Sequence, residues 1–480
     1  MQEYPAWNFE PKRVFEVEPA MHPSSRKSAL GAALLGALAL LGALPGGAAA
    51  KNAVGQERSF APRRVVVKFA GEARGHAVGL PRGTGVIATA RALRAKPDVE
   101  YAVPDYAATA SATEVEPYDP DDDGVLNLAP GKTPTPGYWA YRQWNFLPYA
   151  ATGANAKLPT SPGGIDVAGA WANLIADGRP GGQGIVVAVL DSGIAYRDWK
   201  KDYLRSPDFS AEEFVPGKDF VTRGRPPLDA NGHGTFVAAT IGEQTDNGVA
   251  LTGIAYGAKL MPVRVLDRRD EGYANRIAEG IRFAVRKHVD VINMSFNFNC
   301  GAKVPQVDEA LREAYEHGIV TIASGGNFDP KAKHNCVSQP ATGPHVIGVG
   351  GTTEGGCIGS YSLPGKGIDV VAPGGGGAAS GCPSVLSRPI YQVTLRAGTT
   401  DDFAIPSSAG SGYEGTSMAA AHVSGTVALM LASGVIPGSL GPEARVRAVT
   451  QRLRTTARSL GYPRNVEGAG LIDAARATAP

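Results

Sequence analysis

Three short stretches of the sequence carry side chains that together could perform nucleophilic catalysis. Ser417 stands after a glycine and a threonine at the predicted start of one helix, and His233 stands between two glycines at the start of another. Asp191 directly follows an apolar run that is typical of a buried strand. A serine hydroxyl is a weak nucleophile at neutral pH, and it becomes reactive when an imidazole removes its proton and an acid orients that imidazole. Taken singly, these residues are more simply explained as a helix cap, a turn residue and a strand-end cap, so only their combination indicates catalysis.

Short apolar runs alternate with helical patterns from residue 184 onward, and these elements must position the three residues. The predicted strands cover residues 185–190, 260–265, 289–294, 319–323 and 346–349. The predicted helices cover residues 234–243, 273–287, 305–317, 417–433 and 442–456. This alternation predicts an α/β fold with a doubly wound, mostly parallel sheet and helices on both faces. Ligands bind beyond the carboxyl ends of the strands in such sheets, and Asp191 stands at one of these ends.

Several unrelated folds share this catalytic chemistry, and the chain order Asp191, His233, Ser417 helps to choose between them. An α/β-hydrolase is disfavoured because no GxSxG motif surrounds Ser417 and because the acid and the histidine precede the nucleophile. The trypsin-like order places the histidine first and requires an all-β fold. With the motifs around them, the three residues resemble the subtilisin-like serine proteases, or subtilases, and the resemblance covers about residues 140–478.

The resemblance implies a role for each residue of the set. Ser417 would attack the scissile carbonyl, His233 would take and return its proton, and Asp191 would hold the imidazole in the required tautomer. Asn327 follows a predicted strand and matches the asparagine that stabilises the oxyanion in the family. Two segments match the two walls that bind an extended substrate; they consist of Ser295, Phe296 and Asn297 on one side and Ala323, Ser324 and Gly325 on the other.

The sequence departs from the usual family pattern next to these residues. Family members usually have Leu-Gly where this chain has Phe296-Asn297, so a side chain at position 297 could narrow a subsite. The family commonly has a histidine where Phe236 stands, which leaves His233 as the single imidazole of its block. It commonly has a proline at the position of Ala421, and an alanine there permits a more regular first helical turn.

The N-terminal part of the chain has the layout of a secreted precursor. Arg26 and Lys27 precede an apolar run, 29–44, that ends in small residues, which is the pattern of a secretory signal peptide. The run is shorter than the roughly 20 residues that span a bilayer, and Met21 could be the true start of translation. Residues 63–110 resemble the inhibitory propeptide of the family. The predicted divisions are an N-terminal extension and signal peptide over 1–50, a small α+β propeptide-like segment over 51–112, a linker over 113–139 and the protease domain over 140–480.

Charge and cysteine content limit the possible partners and the possible cellular compartment of the protein. The chain has 47 basic and 45 acidic residues and a net charge of +2, which argues against a nucleic acid as the main partner. The four cysteines fit neither CxxC pairs nor a zinc pattern. If the protein is exported, they favour two disulfides between sequence neighbours, Cys300 with Cys336 and Cys357 with Cys382. The alternative is four buried thiols in a reducing cytoplasm.

The resemblance also implies a structural calcium ion, whereas catalysis is expected to need no cofactor. Gln143, Asp208 and Asn247 are the candidate ligands. Carboxylate, amide and backbone oxygens are the ligands that calcium prefers.

Together these patterns predict a secreted serine endopeptidase that hydrolyses peptide bonds through an acyl-enzyme intermediate. Its partners would be peptide or protein substrates and its own propeptide as an intramolecular inhibitor, and the mature protein would be a monomer without a membrane anchor. The first alternative is a catalytically weak protein of the subtilase fold that binds peptides. The second is a serine esterase on the same frame, which the strand-like substrate segment disfavours. The segment 374–412 leads into the Ser417 block and could flank the cleft, but the sequence indicates no role for it.

Overall fold

The computed structural model describes residues 60–110, 113–115, 139–150 and 159–480, except positions 246, 248, 333, 385 and 407–411. The described residues belong to one compact unit. The predicted signal peptide and residues 116–138 of the predicted linker lie outside the described residues. The division of the chain into an extension, a propeptide-like segment, a linker and a protease domain stays a prediction.

The described strands are, in chain order, β1 Phe60–Phe69, β2 His76–Gly79, β3 Val99–Ala110, β4 Thr113–Val115, β5 Val186–Asp191, β6 Lys218–Asp219, β7 Lys259–Arg264, β8 Glu271–Tyr273, β9 Val291–Met294, β10 Phe296–Phe298, β11 Val320–Ser324, β12 Val346–Thr352, β13 Val370–Pro373, β14 Thr394–Leu395, β15 Phe403–Ala404 and β16 Gly412–Glu414.

The described α-helices are α1 Val86–Arg94, α2 Trp139–Arg142, α3 Val167–Ala176, α4 His233–Gly242, α5 Ala274–Arg286, α6 Pro305–Glu316, α7 Thr416–Ser433, α8 Pro442–Thr456, α9 Arg464–Glu467 and α10 Ala474–Thr478. Short 3-10 turns lie at Trp144–Phe146, Pro180–Gly182 and Ala211–Glu213. In the described part of the chain, no helix combines the length and the apolar character needed to cross a membrane.

A parallel sheet forms the centre of the protease domain, with its strands in the order β13-β12-β11-β9-β5-β7-β6. Every adjacent pair of strands in it is parallel. All residues of β9, β11, β12 and β13 are buried, which is the pattern of strands covered on both faces. The predicted doubly wound α/β fold is therefore confirmed, and the five predicted strands correspond to β5, β7, β9, β11 and β12.

The sequence patterns did not predict β13 and α3. The strand β13 has four residues and ends in a proline, so its apolar run is too short to separate from a loop. The helix α3 begins after Asp166, whose side chain accepts a hydrogen bond of 3.1 Å from the backbone N–H of Gly169. An aspartate in this position is a helix N-cap, and this signal could have located α3 from the sequence.

The helix α7 packs against β9, β11, β12 and β13 and also against α4. Its residues are buried from Thr416 to Met430, as expected for a helix that is surrounded by protein. The small residues of α7 make this possible, because a Cβ atom at Gly425 would lie 2.7 Å from the Cβ of Ile254. The helix begins at Thr416 and runs without interruption past Ala421.

The propeptide-like segment forms the predicted small α+β structure. The strands β1, β2 and β3 are antiparallel, and α1 packs against β1 and β3. Buried side chains of these elements form its core; they include Val65, Val66, Val67, Ala90 and Leu93. The strand β3 continues beyond this structure and pairs with β8 and β10, and β4 pairs with β16. The propeptide-like segment is thus joined to the protease domain by backbone hydrogen bonds.

Two disulfides connect loops of the protease domain. They join Cys300 to Cys336 and Cys357 to Cys382, which confirms the predicted pairing. The second disulfide ties the segment 374–412 to the loop that follows β12.

Candidate active site

Asp191 and His233 meet at the carboxyl edge of the parallel sheet. Asp191 is the last residue of β5 and His233 is the first residue of α4, and Asp191 Oδ1 lies 2.8 Å from His233 Nδ1. Both side chains are buried, with exposed fractions of 0% and 1%. Gly234 allows this approach, because a Cβ atom at this position would lie 2.2 Å from the backbone oxygen of Gly193 and 3.1 Å from Asp191 Oδ1.

Asp229 holds the turn that presents His233. Its Oδ1 accepts hydrogen bonds from the Ser192 hydroxyl and from the backbone N–H groups of Asn231 and Gly232. Its Oδ2 accepts hydrogen bonds from the backbone N–H of Thr235 at 3.0 Å and from the Thr235 hydroxyl at 2.6 Å. A carboxylate at this point satisfies N–H groups that the first turn of a helix leaves unpaired. Sequence reasoning missed Asp229, although an acid four residues before the histidine of a helix start was a usable signal.

Ser417 lies in the first turn of α7, close to the substrate wall that contains Ser295. The Ser417 hydroxyl donates a hydrogen bond of 2.9 Å to the backbone oxygen of Ser295, and the Ser295 hydroxyl donates one of 2.9 Å to the backbone oxygen of Ser417. Among the described residues, His233 Nε2 has no hydrogen-bond partner, so Ser417 Oγ is not bonded to it. The helices α4 and α7, which carry His233 and Ser417, pack against each other.

Asn327 is fixed next to the nucleophile by the residue that precedes Ser417. Asn327 Oδ1 accepts hydrogen bonds from the backbone N–H of Thr416 at 3.0 Å and from the Thr416 hydroxyl at 2.9 Å. The Thr416 hydroxyl oxygen accepts a further hydrogen bond of 3.1 Å from the backbone N–H of Gly326. The loop after β11 is thereby joined to the start of α7.

The two predicted substrate walls are joined by hydrogen bonds between Asn297 and Ser324. Phe296 and Asn297 belong to β10, and Ala323 and Ser324 form the end of β11. Asn297 Nδ2 donates a hydrogen bond of 2.7 Å to the backbone oxygen of Ser324, and the Ser324 hydroxyl donates one of 3.0 Å to Asn297 Oδ1. Gly325 continues the second wall, and its N–H donates to Val349 at 2.8 Å.

A stretch of the propeptide-like segment pairs as an extended strand with the wall that contains Phe296 and Asn297. In the pairing of β3 with β10, Ala110 stands opposite Phe296 and Thr109 opposite Asn297. The opposite edge of β3 pairs with β8, where Thr109 stands opposite Glu271. Beyond this point β4 pairs with β16, and Thr113 stands opposite Glu414. Both β3 and β4 therefore pair with strands of the protease domain.

Asp270 is a third acid beside the Asp191–His233 pair, and sequence reasoning missed it. One side-chain oxygen or nitrogen of each of these three residues lies within 4.8 Å of the other two. Among the described residues, Asp270 Oδ1 has no hydrogen-bond partner, and burial raises the pKa of this carboxyl to about 7. Burial lowers the pKa of His233, but the charges of Asp191, Asp270 and Asp229 together raise it by more. The pKa of His233 is therefore higher than the ordinary value for histidine.

The segment 374–412, to which the sequence assigned no role, contacts the start of α4. The Thr394 hydroxyl donates a hydrogen bond to the backbone oxygen of Gly232, next to His233. Directly after this segment, the ring of Tyr413 stacks on Phe236 at 4.4 Å between centroids and lies 6.4 Å from the His233 ring. These contacts support the turn that carries His233.

The three predicted calcium ligands lie around the loop that follows α4. Asn247 Nδ2 donates a hydrogen bond of 2.8 Å to Asp208 Oδ1, so the structure brings these two residues together. Gln143 instead bonds to Thr252, whose backbone N–H donates to Gln143 Oε1 at 3.1 Å. The neighbouring Leu251 N–H donates to Asp208 Oδ2 at 3.1 Å.

Sequence reasoning missed two further buried acids near Asp208. Burial raises the pKa of Asp208 to about 7. Burial and the charge of Asp208 raise the pKa of Glu213 to about 8. Glu243 has an exposed fraction of 0%, and burial followed by the charges of Asp208 and Glu213 raises its pKa well above the ordinary value. Neither carboxylate oxygen of Glu243 has a hydrogen-bond partner among the described residues.

Comparison with known proteins agrees with this geometry. Residues 182–471 match the model of the Subtilase family. The extracellular protease of Xanthomonas campestris pv. campestris is 34% identical over 345 residues, which cover 66% of this chain and 53% of that protein. Subtilisin DY of Bacillus licheniformis is 31% identical over 282 residues, which cover 58% of this chain and 86% of that protein. A solved protease structure from Pseudoalteromonas arctica aligns with a TM-score of 0.54 and 28% identity, over 70% of this chain and 96% of that chain.

The parallel sheet, the Asp191–His233 pair and these relatives support a serine endopeptidase, and the protease family implies peptide or protein substrates. The family match begins just before β5 and ends just before α10, so it contains both residues of the pair and Ser417. The chain belongs to the subtilase family. It spans about half the length of the Xanthomonas protein, of which 53% is covered.

Proposed function

We propose that this chain is the precursor of a secreted, monomeric serine endopeptidase in which Asp191, His233 and Ser417 form the catalytic triad. The observation that carries the proposal is the 2.8 Å contact between Asp191 Oδ1 and His233 Nδ1. This contact places the proton of the neutral imidazole on Nδ1, which makes Nε2 the basic nitrogen. The Ser417 hydroxyl belongs to the helix that packs against the His233 helix.

The reaction starts when the Ser417 hydroxyl turns from the Ser295 oxygen towards His233 Nε2. Ser417 Oγ attacks the carbonyl carbon of the substrate while Nε2 takes its proton, and Asp191 stabilises the resulting imidazolium. The imidazolium then gives the proton to the leaving amine, and the peptide bond breaks to form an acyl-enzyme. A water oxygen then attacks the acyl carbon while His233 Nε2 takes a proton from the water, and Nε2 gives this proton to Ser417 Oγ as the ester bond breaks and the carboxylic acid product leaves.

Asn327 and the backbone N–H of Ser417 would stabilise the oxyanion. The hydrogen bonds from Thr416 to Asn327 Oδ1 support this assignment, because they fix the plane of the side-chain amide beside the nucleophile. A donor that is held before the reaction need not reorganise when the negative charge develops. Removal of one such donor typically costs about 2.7–4 kcal/mol of transition-state stabilisation.

The substrate would bind as an extended strand between β8 and β10. The pairing of β3 with these two strands supports this mode, since backbone hydrogen bonds can hold any extended peptide in the same way. The wall residues Ser295, Phe296 and Asn297 would face the wall of Ala323, Ser324 and Gly325. A site that holds both edges of an extended peptide would bind peptide substrates better than simple esters, which have no backbone to pair with the strands.

The propeptide-like segment would act as the intramolecular inhibitor of the precursor. Besides β3, two polar contacts support its docking. Asp105 is buried and accepts a hydrogen bond of 3.0 Å from the backbone N–H of Asn275, in the first turn of α5. Lys68 lies 3.3 Å from Glu309 of α6. A carboxylate at a helix N-terminus is a favourable contact, and it orients the segment on the protease domain.

A structural calcium ion would be held by Gln143, Asp208 and Asn247. Oxygen donors of these kinds are the ones this cation prefers, and a bound cation would favour the ionised form of Glu243, whose buried oxygens lie near Asp208 without a partner among the described residues. A bound cation would stabilise the loop after α4, and it would take no part in the proton transfers.

The rival function is that of a catalytically weak protein that binds peptides. Labelling by a fluorophosphonate separates the two, because this reagent reacts with an activated serine and with no serine that merely lines a groove. We expect the mature protein to be labelled, the S417A variant to remain unlabelled and the S433A variant, changed in the same helix, to be labelled like the wild type. Absence of labelling in the wild type would reject the triad. Turnover of an unfolded protein substrate would then exclude an esterase that acts on esters alone.

A further inference from the structure

We propose that Asn297 closes the primary side-chain pocket and restricts the enzyme to substrates with Gly, Ala or Ser immediately before the cleaved bond. The primary side-chain pocket is here the space between β10 and residues 323–325. The inference rests on the proposed function, since it assigns a substrate class to the same site.

Asn297 forms a bridge across the pocket. Its backbone lies in β10, opposite Thr109 of β3, while its side chain reaches the other wall. Both polar atoms of the amide are used there: Nδ2 donates to the Ser324 oxygen at 2.7 Å and Oδ1 accepts from the Ser324 hydroxyl at 3.0 Å. A Cβ atom at Gly326 would lie 3.7 Å from Asn297 Cγ, so the amide also lies beside the glycine that continues the second wall.

Opening this bridge costs free energy because its polar groups are buried. Asn297 and Ser324 are buried, with exposed fractions of 9% and 0%. A long substrate side chain between the walls must displace the amide, and the buried groups of Ser324 then lose their partners. A methyl or hydroxymethyl side chain ends before it reaches the amide and leaves both hydrogen bonds in place.

The chain segment whose backbone pairs with β10 contains only small residues. Residues 107–113 read Ala-Ala-Thr-Ala-Ser-Ala-Thr, so none of them is larger than threonine. The backbone of residues 107–110 pairs with β8 and β10, and that of Thr113 pairs with β16. This composition agrees with a site that accepts only small residues before the cleaved bond.

The test measures kcat/KM of the mature enzyme on peptides that differ only in the residue before the cleaved bond. We expect the wild type to prefer Ala and Ser over Leu and Phe by about tenfold or more, the scale set by a few excluded methylene groups. The N297G variant opens the bridge, and its Phe-to-Ala ratio of kcat/KM should rise by about tenfold or more. The matched control is N299G, which makes the same substitution at an exposed asparagine two residues further along the chain. The Phe-to-Ala ratio of kcat/KM of this variant should equal that of the wild type.

The outcomes separate this inference from the proposed function. Cleavage by the wild type that is equally fast after Ala and after Phe would overturn the pocket inference and leave the endopeptidase intact. A preference for small residues that survives in N297G would also overturn it, because another group would then close the pocket. If no peptide is cleaved and Ser417 is not labelled, the endopeptidase function itself is rejected. The wild-type profile decides the question even if N297G does not fold.

Discussion

At the scale of single residues, three carboxylates determine the proton affinity of His233. Burial lowers its pKa, whereas the charges of Asp191, Asp270 and Asp229 together raise it above the ordinary value. Asp191 is in contact with the imidazole, and Asp270 adds a second acid on a loop between β7 and β8. The imidazole must be neutral to accept the Ser417 proton, so a raised pKa moves activity towards higher pH.

Removal of the Asp270 charge should lower the pKa of His233. In the D270N variant the imidazolium loses one stabilising negative charge, so the acidic limb of the pH profile of kcat/KM should move to lower pH by roughly half a pH unit to one pH unit. The measurement is kcat/KM of the mature enzyme from pH 5 to pH 10 on one peptide. The D177N variant removes an exposed carboxyl at the end of α3 and should leave the profile unchanged. An unchanged limb in D270N would contradict the role of Asp270.

The sequence located the residues of the proposed triad more readily than those that surround them. Asp191, His233 and Ser417 stand in short motifs with glycines, and the family resemblance carries these motifs. Asp270 stands far from them in sequence and reaches His233 only through the turn between two strands. No local pattern distinguishes such an acid from an exposed loop residue, because its role depends on burial and on neighbours that only the fold provides.

At the scale of elements, the pairing of β3 and β4 limits where the proposed precursor would be cut. Ala110 is paired with β10, which begins directly after Ser295, and Thr113 is paired with β16, which directly precedes the start of α7. We infer that the cut falls between these two residues, because both pair with strands that adjoin the segments around Ser417.

We expect maturation to cut the chain between Ala110 and Thr113. The mature protein should begin at Ser111, Ala112 or Thr113, and N-terminal sequencing of the secreted product measures this directly. The S417A precursor should stay uncut under the same conditions, which shows that the cut is made by the enzyme itself. A wild-type N-terminus near residue 140 would contradict the register of these strands.

Elements that bury a continuous apolar run were predictable, and elements that depend on pairing were not. The predicted strand 319–323 corresponds to Val320–Ser324, and the predicted helix 442–456 matches Pro442–Thr456. The strands β4, β8 and β16 have three residues each. Each is a strand only because it pairs with a distant segment: β8 pairs with β3, and β4 pairs with β16. A run of three residues has no periodicity to detect, so only the tertiary structure defines it.

At the scale of the whole molecule, the loop after α4 joins distant parts of the chain around the candidate calcium ligands. Gln143 lies at the start of the protease domain, and its side-chain amide donates to Thr252 at 2.7 Å. Gln392, from the segment 374–412, donates to the same Thr252 oxygen at 3.1 Å. A cation at Asp208 would therefore stabilise contacts between three separate regions.

Removal of calcium should lower the melting temperature of the mature protein. A ligand present at about 100 times its Kd adds about 2.7 kcal/mol of stability, which corresponds to roughly 4 °C for a domain of about 340 residues, because the unfolding entropy is about 2.1 cal/mol/K per residue. The measurement is the melting temperature with calcium and with a chelator. The D208N variant should lose this difference, and D177N should keep it. A wild-type melting temperature that the chelator does not change would reject the calcium site.

The covalent connection between β3 and the protease domain would give the proposed inhibitor a fixed effective concentration. Before the cut, β3 is held beside β8 and β10 by its own chain, so dilution cannot release it. After the cut, the same strand becomes a separate molecule, and its occupancy of the cleft depends on its concentration and its affinity. The cut alone would leave the cleft occupied in a concentrated solution. Dilution into the surroundings, or destruction of the released segment by another enzyme molecule, would then be the event that turns on activity.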